Sequence, residues 1–181
     1  MRVDAPLSEE TAASLRAGDA VRIYGTVYVA RDAAHRRLVE ALGRGERLPF
    51  DPAGAVIYYM GPSPAKPGQV IGSAGPTTSY RMDPYTPTLL QQGVKGLIGK
   101  GSRSQEVKDA LREHKAVYMA AVGGAAALIA KSIKEAEVIA YPDLGAEAVL
   151  KLRVEDFPAI VVNDSAGGDL YQQAREKWAR K

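Results

Sequence analysis

Apolar and polar positions change their spacing repeatedly along the chain, and each change marks an element. Ser8 precedes Glu9 and Glu10, with Leu7, Ala12 and Leu15 on one face, which predicts a short capped helix stopped by Ala17-Gly18-Asp19. Ala20–Val29 then alternates, rich in β-branched and aromatic residues, and predicts a strand bent or bulged at Gly25. Asp32 reads as the N-cap of a helix whose stripe, Ala34, Leu38 and Leu42, ends at Gly43. Ala55–Met60 is an apolar run that predicts a buried strand, followed by a stiff Pro/Gly loop over 61–68 and a short strand near Gln69–Gly72. Asp83-Pro84 reads as an N-cap with proline in the first helical position, opening a helix to Gln92.

The second half continues the alternation. A strand ends at Gly99, a helix covers Ser104–His114 with Val107, Ala110 and Leu111 inward, and Ala116–Val122 is a buried strand. Gly123-Gly124 starts a helix over Ala125–Ile133, and Glu137–Tyr141 is a strand with a short helix after it near Gly145–Val149. Lys151–Val154 and Ala159–Val162 read as two strands parted by Asp156-Phe157-Pro158, and a charged tail helix follows, anchored by Trp178. Strands and helices alternate with no linker, repeat or low-complexity tract, so the expectation is one α/β domain over residues 1–181.

Chemistry-bearing residues gather where strands give way to helices. The loop Gly75–Tyr85 places two breakers before Thr77 and Thr78, with Arg81 and Asp83 just beyond, and predicts a held loop at the mouth of a helix, where free N–H groups favour an anion. A plain Ser/Thr-rich connection fits those residue types as well. Arg31 stands at the end of the first long strand, where open α/β folds bind ligands, or is a solvated surface group. Val94–Ser102 resembles a phosphate-binding loop only superficially. Val94 stands where the first glycine is needed and Gly101 where Ser or Thr is needed, and the dinucleotide spacing is absent. What remains is Lys100 between Gly99 and Gly101, either projecting toward a ligand or solvated. Gly123-Gly124 suits an anion seat or close helix–strand packing.

Composition narrows the classes. Of 181 residues, 46% are hydrophobic and 25% charged, which fits a globular domain with a real core. The net charge of +3 comes with no basic run interleaved with aromatics, so nucleic acid is not the expected partner. The chain has no cysteine, which excludes a disulfide framework, a thiol nucleophile and a thiolate-held metal of its own; His35 and His114 are its only histidines. No segment has the look of a signal peptide or a membrane span, and the expected location is the cytoplasm.

Three segments in order resemble a known family: Gly25-Thr26-Val27 through Ala30-Arg31-Asp32-Ala33-Ala34-His35; Gly75-Pro76-Thr77-Thr78-Ser79-Tyr80-Arg81-Met82-Asp83; and Lys100-Gly101-Ser102-Arg103-Ser104. Glu155-Asp156-Phe157-Pro158-Ala159 adds a fourth. Over roughly residues 5–165 the chain resembles the C-terminal domain, or separate β subunit, of the iron–sulfur class I hydro-lyases, fumarase and L(+)-tartrate dehydratase. The resemblance implies a swivelling three-layer β/β/α domain, and an α subunit whose cysteines hold a 4Fe–4S cluster, paired as a heterotetramer. It implies Arg31 and Arg81 as clamps for a dicarboxylate, Thr78 in the same substrate-binding set or as a loop former, Lys100 beside the developing negative charge, and Thr77 as the proton-transfer group at carbon. Asp83 would serve as a structural cap, His35 would order Arg31 or simply face a helix, and Ser79-Tyr80 would bear on substrate choice. Hydrating a dicarboxylate needs such cations, a Lewis acid for the hydroxyl, and a proton carrier. The fumarase form is the first expectation, with tartrate dehydratase second and a non-catalytic binding domain of the same fold third.

Overall fold

The computed structural model describes residues 1–122 and 125–179. Its strands are β1 (Arg2–Ala5), β2 (Ala20–Val29), β3 (Val56–Tyr58), β4 (Gly96–Gly99), β5 (Val117–Ala120), β6 (Ile133–Ala140) and β7 (Val149–Asn163). Its α-helices are α1 (Glu9–Ser14), α2 (Asp32–Gly43), α3 (Thr86–Gln91), α4 (Gln105–Glu113), α5 (Ala126–Ser132) and α6 (Leu170–Trp178), with 3-10 turns at Ser79–Met82 and Pro142–Glu147. β1 to β5 lie side by side and parallel. β7 runs antiparallel to β5 and also to β2, and this second pairing closes the sheet on itself. β1 and β6 extend it at the outside.

Closure gives the sheet two apolar faces, which is why the central strands read as continuous hydrophobic runs. Val56, Tyr58 and Met60 enter an inner core with Ile98, Val117, Met119 and Phe157, while Ala55, Ile57 and Tyr59 join an outer core with Leu97 and Tyr118. The outer core is covered by Ala34 and Leu38 of α2, Leu89 and Leu90 of α3, and Val107 and Leu111 of α4. The two halves of the closed sheet and these helices make the β/β/α order of layers, and the α/β class is as expected.

Several boundaries differ from the reading of the sequence. β1 was absent from it, because four residues paired along one edge of β2 carry little periodic signal. The expected strand at 69–72 is loop; Ile71 is apolar because it fills the inner core. The helix expected at Pro84 starts at Thr86, with Tyr85 at its N-cap. α2 begins one residue early, so Arg31 takes the N-cap position and Asp32 the first turn. The helix expected to Ile133 ends at Ser132, and the strand expected over Glu137–Tyr141 runs over Ile133–Ala140, since β7 offers those residues a ladder. The two strands expected around Asp156-Phe157-Pro158 are one: Asp156 takes φ 58° in a bulge opposite Tyr24, and pairing with β2 resumes at Phe157. Trp178 does not anchor α6, being 74% exposed. Gly25 is bent as expected, with φ 104°, and a Cβ there would stand 2.2 Å from the Ala5 carbonyl oxygen.

Candidate functional site

The parallel strands β2, β3, β4 and β5 end together at Val29, Tyr58, Gly99 and Ala120, and the chemistry-bearing residues follow these ends. This is the edge at which parallel sheets present ligand sites. Arg31 comes just after β2, Thr77 to Arg81 lie in the connection after β3, and Lys100 follows β4. The Gly123-Gly124 junction after β5 lies outside the described residues.

The Thr77–Arg81 loop is stitched to the sheet as though it were an extra strand. Pro76 bridges Met60, the Thr77 amide donates to the Tyr59 carbonyl at 2.7 Å, and Thr78 bridges Lys100. Ser79 N–H donates to the Lys100 carbonyl at 2.9 Å, and Lys100 N–H returns a bond to Ser79 Oγ at 3.1 Å. The chain of donors continues: Ser79 Oγ to Tyr118 Oη at 3.0 Å, then Tyr118 Oη to the Gly101 carbonyl at 2.8 Å. Burial pushes the Tyr118 phenol up, so it stays a donor. The loop is held, as expected, but by strand-like bonds; its amides at Thr77 and Ser79 are spent on carbonyls, not offered to an anion at a helix end. Gly99 is required for this: a Cβ there would meet Ser79 Oγ at 2.0 Å and Tyr59 Cδ2 at 2.9 Å, so its smallness serves the loop.

Asp83 does not cap α3. Its carboxylate accepts from Arg103 Nε at 2.7 Å and from the Ser104 amide at 2.8 Å, tying the loop to the start of α4. Arg103 is the hub. Its side chain is fully buried, Nη1 donates to Tyr59 Oη at 3.3 Å, Nη2 to Thr86 Oγ1 at 2.7 Å, and the guanidinium lies 5.0 Å from the Tyr118 ring centre. Burial opposes its charge, but Tyr59 and Asp83 outweigh that and raise its pKa above the ordinary arginine value. The sequence contained this residue inside a matching segment without a role; nothing local distinguishes a buried arginine from a surface one.

Arg31 and Arg81 are brought together around one carboxylate. Asp32 Oδ1 lies 3.8 Å from Arg31 Nε and 3.8 Å from Arg81 Nη1. Among the described residues neither Arg31 Nε nor Asp32 Oδ1, both buried, has a hydrogen-bond partner, a costly arrangement for two polar atoms. Glu147, unmarked in the sequence reading, adds a second carboxylate 3.2 Å from Arg31 Nη2. Lys100 is exposed and pairs with no carboxylate among the described residues. Thr78 is half-buried, its methyl lying 3.8 Å from where a Cβ at Gly101 would be, which suits a loop former; Thr77 is half-buried with its backbone fixed. The convergence of Arg31 and Arg81 on Asp32 shows that this edge can hold a carboxylate between two guanidinium groups.

His35 orders the backbone of Arg31 rather than its guanidinium. Its Nδ1–H donates to the Arg31 carbonyl at 2.9 Å, and its buried Nε2 has no partner among the described residues. Burial lowers its pKa from 6.5 to about 4, so the ring is neutral in the folded chain. An unfolded histidine takes up its proton near 6.5, so the contribution is complete above that pH and is lost as pH falls toward about 4. On the order of 3 kcal/mol of stability should disappear across this window. Urea midpoints measured from pH 7.5 down to 4 check it: the gap between the wild type and His35→Gln should shrink as pH falls.

Fold and site together define a closed α/β sheet carrying a cationic, hydroxyl-bearing edge. The profile of the family described as Fumarase C-terminus matches residues 1–174. Among similar proteins, the aerobic class I fumarate hydratase of Salmonella typhimurium is 46% identical over 151 residues, covering 82% of this chain and 26% of that protein. Fumarate hydratase 2 of Leishmania major is 44% identical over 158 residues, covering 86% of this chain and 28% of that protein. A Methanocaldococcus jannaschii protein with the provisional name L(+)-tartrate dehydratase subunit beta is 37% identical over 177 residues, covering 94% of this chain and 91% of that protein. The chain belongs to the Fumarase C-terminus family, whose named relatives are hydro-lyases. It spans about a quarter of the length of the fumarate hydratases it matches.

Proposed function

We propose that the chain is the β half of a class I fumarate hydratase, catalysing reversible hydration of fumarate to (S)-malate with an α polypeptide that holds a 4Fe–4S cluster. The observation that carries the reading is the convergence of Arg31 and Arg81 on Asp32 at the strand edge that also bears Thr77 and Lys100. The chain has no cysteine, and among the described residues no group of three or more His, Asp or Glu is placed to hold a metal. Thiolates for a cluster therefore have to come from outside these 181 residues, and the residues here serve the organic part of the substrate. When bound, such a cluster supplies a Lewis acid for the substrate hydroxyl.

Arg31 and Arg81 bind the two carboxylates, each through the planar fork of its guanidinium. Lys100, with no counter-ion among the described residues, adds positive charge where the carboxylate next to the reacting carbon gains electron density. Thr77 moves the proton at that carbon. An alcohol is a weak base near neutral pH, and Lys100, whose backbone bridges Thr78 and whose side chain pairs with no carboxylate among the described residues, adds positive charge on this edge that favours its ionisation. Tyr59 and the bridged Thr78–Lys100 pair fix the backbone that carries the hydroxyl.

Co-produced without oxygen with its cluster-bearing partner, the chain should hydrate fumarate, followed as loss of fumarate absorbance, and lose activity in air. Purified alone it should show no turnover. Hydration by the single chain, free of iron, would overturn the two-polypeptide reading. A second substrate is favoured by one finding, the near full-length match to the Methanocaldococcus protein. Rates of the assembled pair with fumarate, mesaconate and L-tartrate separate the two.

A further inference from the structure

The connection between β6 and β7, Pro142–Glu147, lies along α2 and is clamped to it twice. At one end Arg37 Nη1 and Nη2 donate to the two Asp143 oxygens at 2.9 and 2.5 Å. At the other end a single carboxylate has two partners. Glu147 Oε2 accepts from the Ala33 amide at 3.1 Å, and Glu147 Oε1 lies 3.2 Å from Arg31 Nη2.

These contacts answer a local deficiency. The first amides of a helix need acceptors from outside it, and the residue at the N-cap of α2, Arg31, contributes no capping side chain. Glu147 supplies the acceptor from 114 residues away. The positive end of the helix in turn holds the Glu147 charge in place, so the carboxylate is not free to swing out. Arg31 is confined on its other side as well. A Cβ at Gly61 would stand 2.7 Å from Arg31 Nη1 and 3.2 Å from the Ala146 carbonyl oxygen, so a side chain there would crowd the guanidinium. Its Nε is buried with no acceptor among the described residues.

We infer that Glu147 is a positioning residue for Arg31: by occupying Nη2 it fixes the guanidinium plane and holds the arginine in one orientation for an incoming substrate carboxylate. An arginine without such a partner retains several rotamers and loses their entropy on binding; here the loss is taken in folding. The inference rests on the reading of Arg31 as a carboxylate clamp.

Two measurements test it. In the nitrogen-15-labelled full chain, the Arg31 guanidinium N–H signals, identified by their loss in Arg31→Lys, should be resolved in the wild type and rotationally averaged in Glu147→Gln. Glutamine can still accept from Ala33 but places a donor or a neutral oxygen against Nη2. In the complex with its cluster-bearing partner, Glu147→Gln should raise the KM for fumarate about tenfold with kcat changed less than about threefold, since one charge-assisted contact to a ground-state clamp is weakened. Asp143→Asn, which loosens only the exposed far end of the clamp, should leave the signals and both constants unchanged. Unaltered Arg31 signals in Glu147→Gln, or equal effects of Asp143→Asn, overturn the inference. So does a KM change below about twofold in an active complex. If the complex hydrates no dicarboxylate while the Arg31 signals still average in Glu147→Gln, the functional reading fails and the positioning role stands.

Discussion

Arg81→Ala should lower fumarate hydration by the assembled enzyme roughly a thousandfold, the scale seen when a preorganised charge facing the transition state is removed. The fold should hardly notice. The Arg81 side chain is 39% exposed, and its only ion pair among the described residues is the 3.8 Å contact with Asp32. Exposed pairs of that kind contribute about 0–1 kcal/mol. Steady-state rates and melting temperature measured on the same preparation therefore separate the two effects. Wild-type turnover in a folded Arg81→Ala enzyme would remove the arginine from the site. Arg81→Lys should recover little, because an ammonium lacks the planar fork that engages both oxygens of a carboxylate.

The second large effect is the opposite in kind. Arg103→Met should cost about 3–5 kcal/mol of stability, the range found when one partner of a buried ion pair is deleted. Its loss leaves Asp83, 13% exposed, without its cation, and withdraws a donor from Tyr59 and from Thr86. Urea unfolding of the chain checks the figure, and a loss under about 1 kcal/mol would show that the guanidinium is not the hub its bonds suggest. Turnover should fall too, at temperatures where the variant is still folded. Asp83 joins the end of the Thr77–Arg81 loop to the Ser104 amide at the start of α4, just beyond Lys100, so releasing it lets the two loops slide relative to each other. Arg103→Lys should not restore stability, since one ammonium on a flexible stem does not reproduce donors at Asp83, Tyr59 and Thr86 together.

The placement of the candidate site's residues at strand-to-helix junctions was legible in the sequence. Arg31, Thr77, Thr78, Arg81 and Lys100 were singled out at strand-to-helix junctions, and the ends of β2, β3 and β4 do bring those junctions to one edge. The carboxylates and the hub were not legible. Glu147 acts through Ala33 and Arg31, which are remote in sequence, and a glutamate in a turn looks solvated. Asp83 gave a false signal for a physical reason: Asp-Pro is a good opening for a helix, but its carboxylate gains more from a buried guanidinium than from the first amides of α3. Likewise the strand read from Glu137 begins at Ile133, because β7 offers a partner there that no local pattern reveals.

Local chemistry alone determined where the main elements begin and bend. The alternation over Ala20–Val29, the bend at Gly25, the Ser8 and Ser104 caps and the apolar runs of β3 and β5 are short-range properties, set by side-chain period and backbone freedom. Tertiary structure alone decided which junctions face one another. Closure of the sheet through β7, which joins into one strand what reads as two, aligns the parallel strands and sets Pro142–Glu147 beside α2. Pairing across more than a hundred residues depends on long-range burial and hydrogen bonding, and no window of sequence contains both partners. That is why the arginines could be named from the chain, while the carboxylates that hold them emerged only when it was folded.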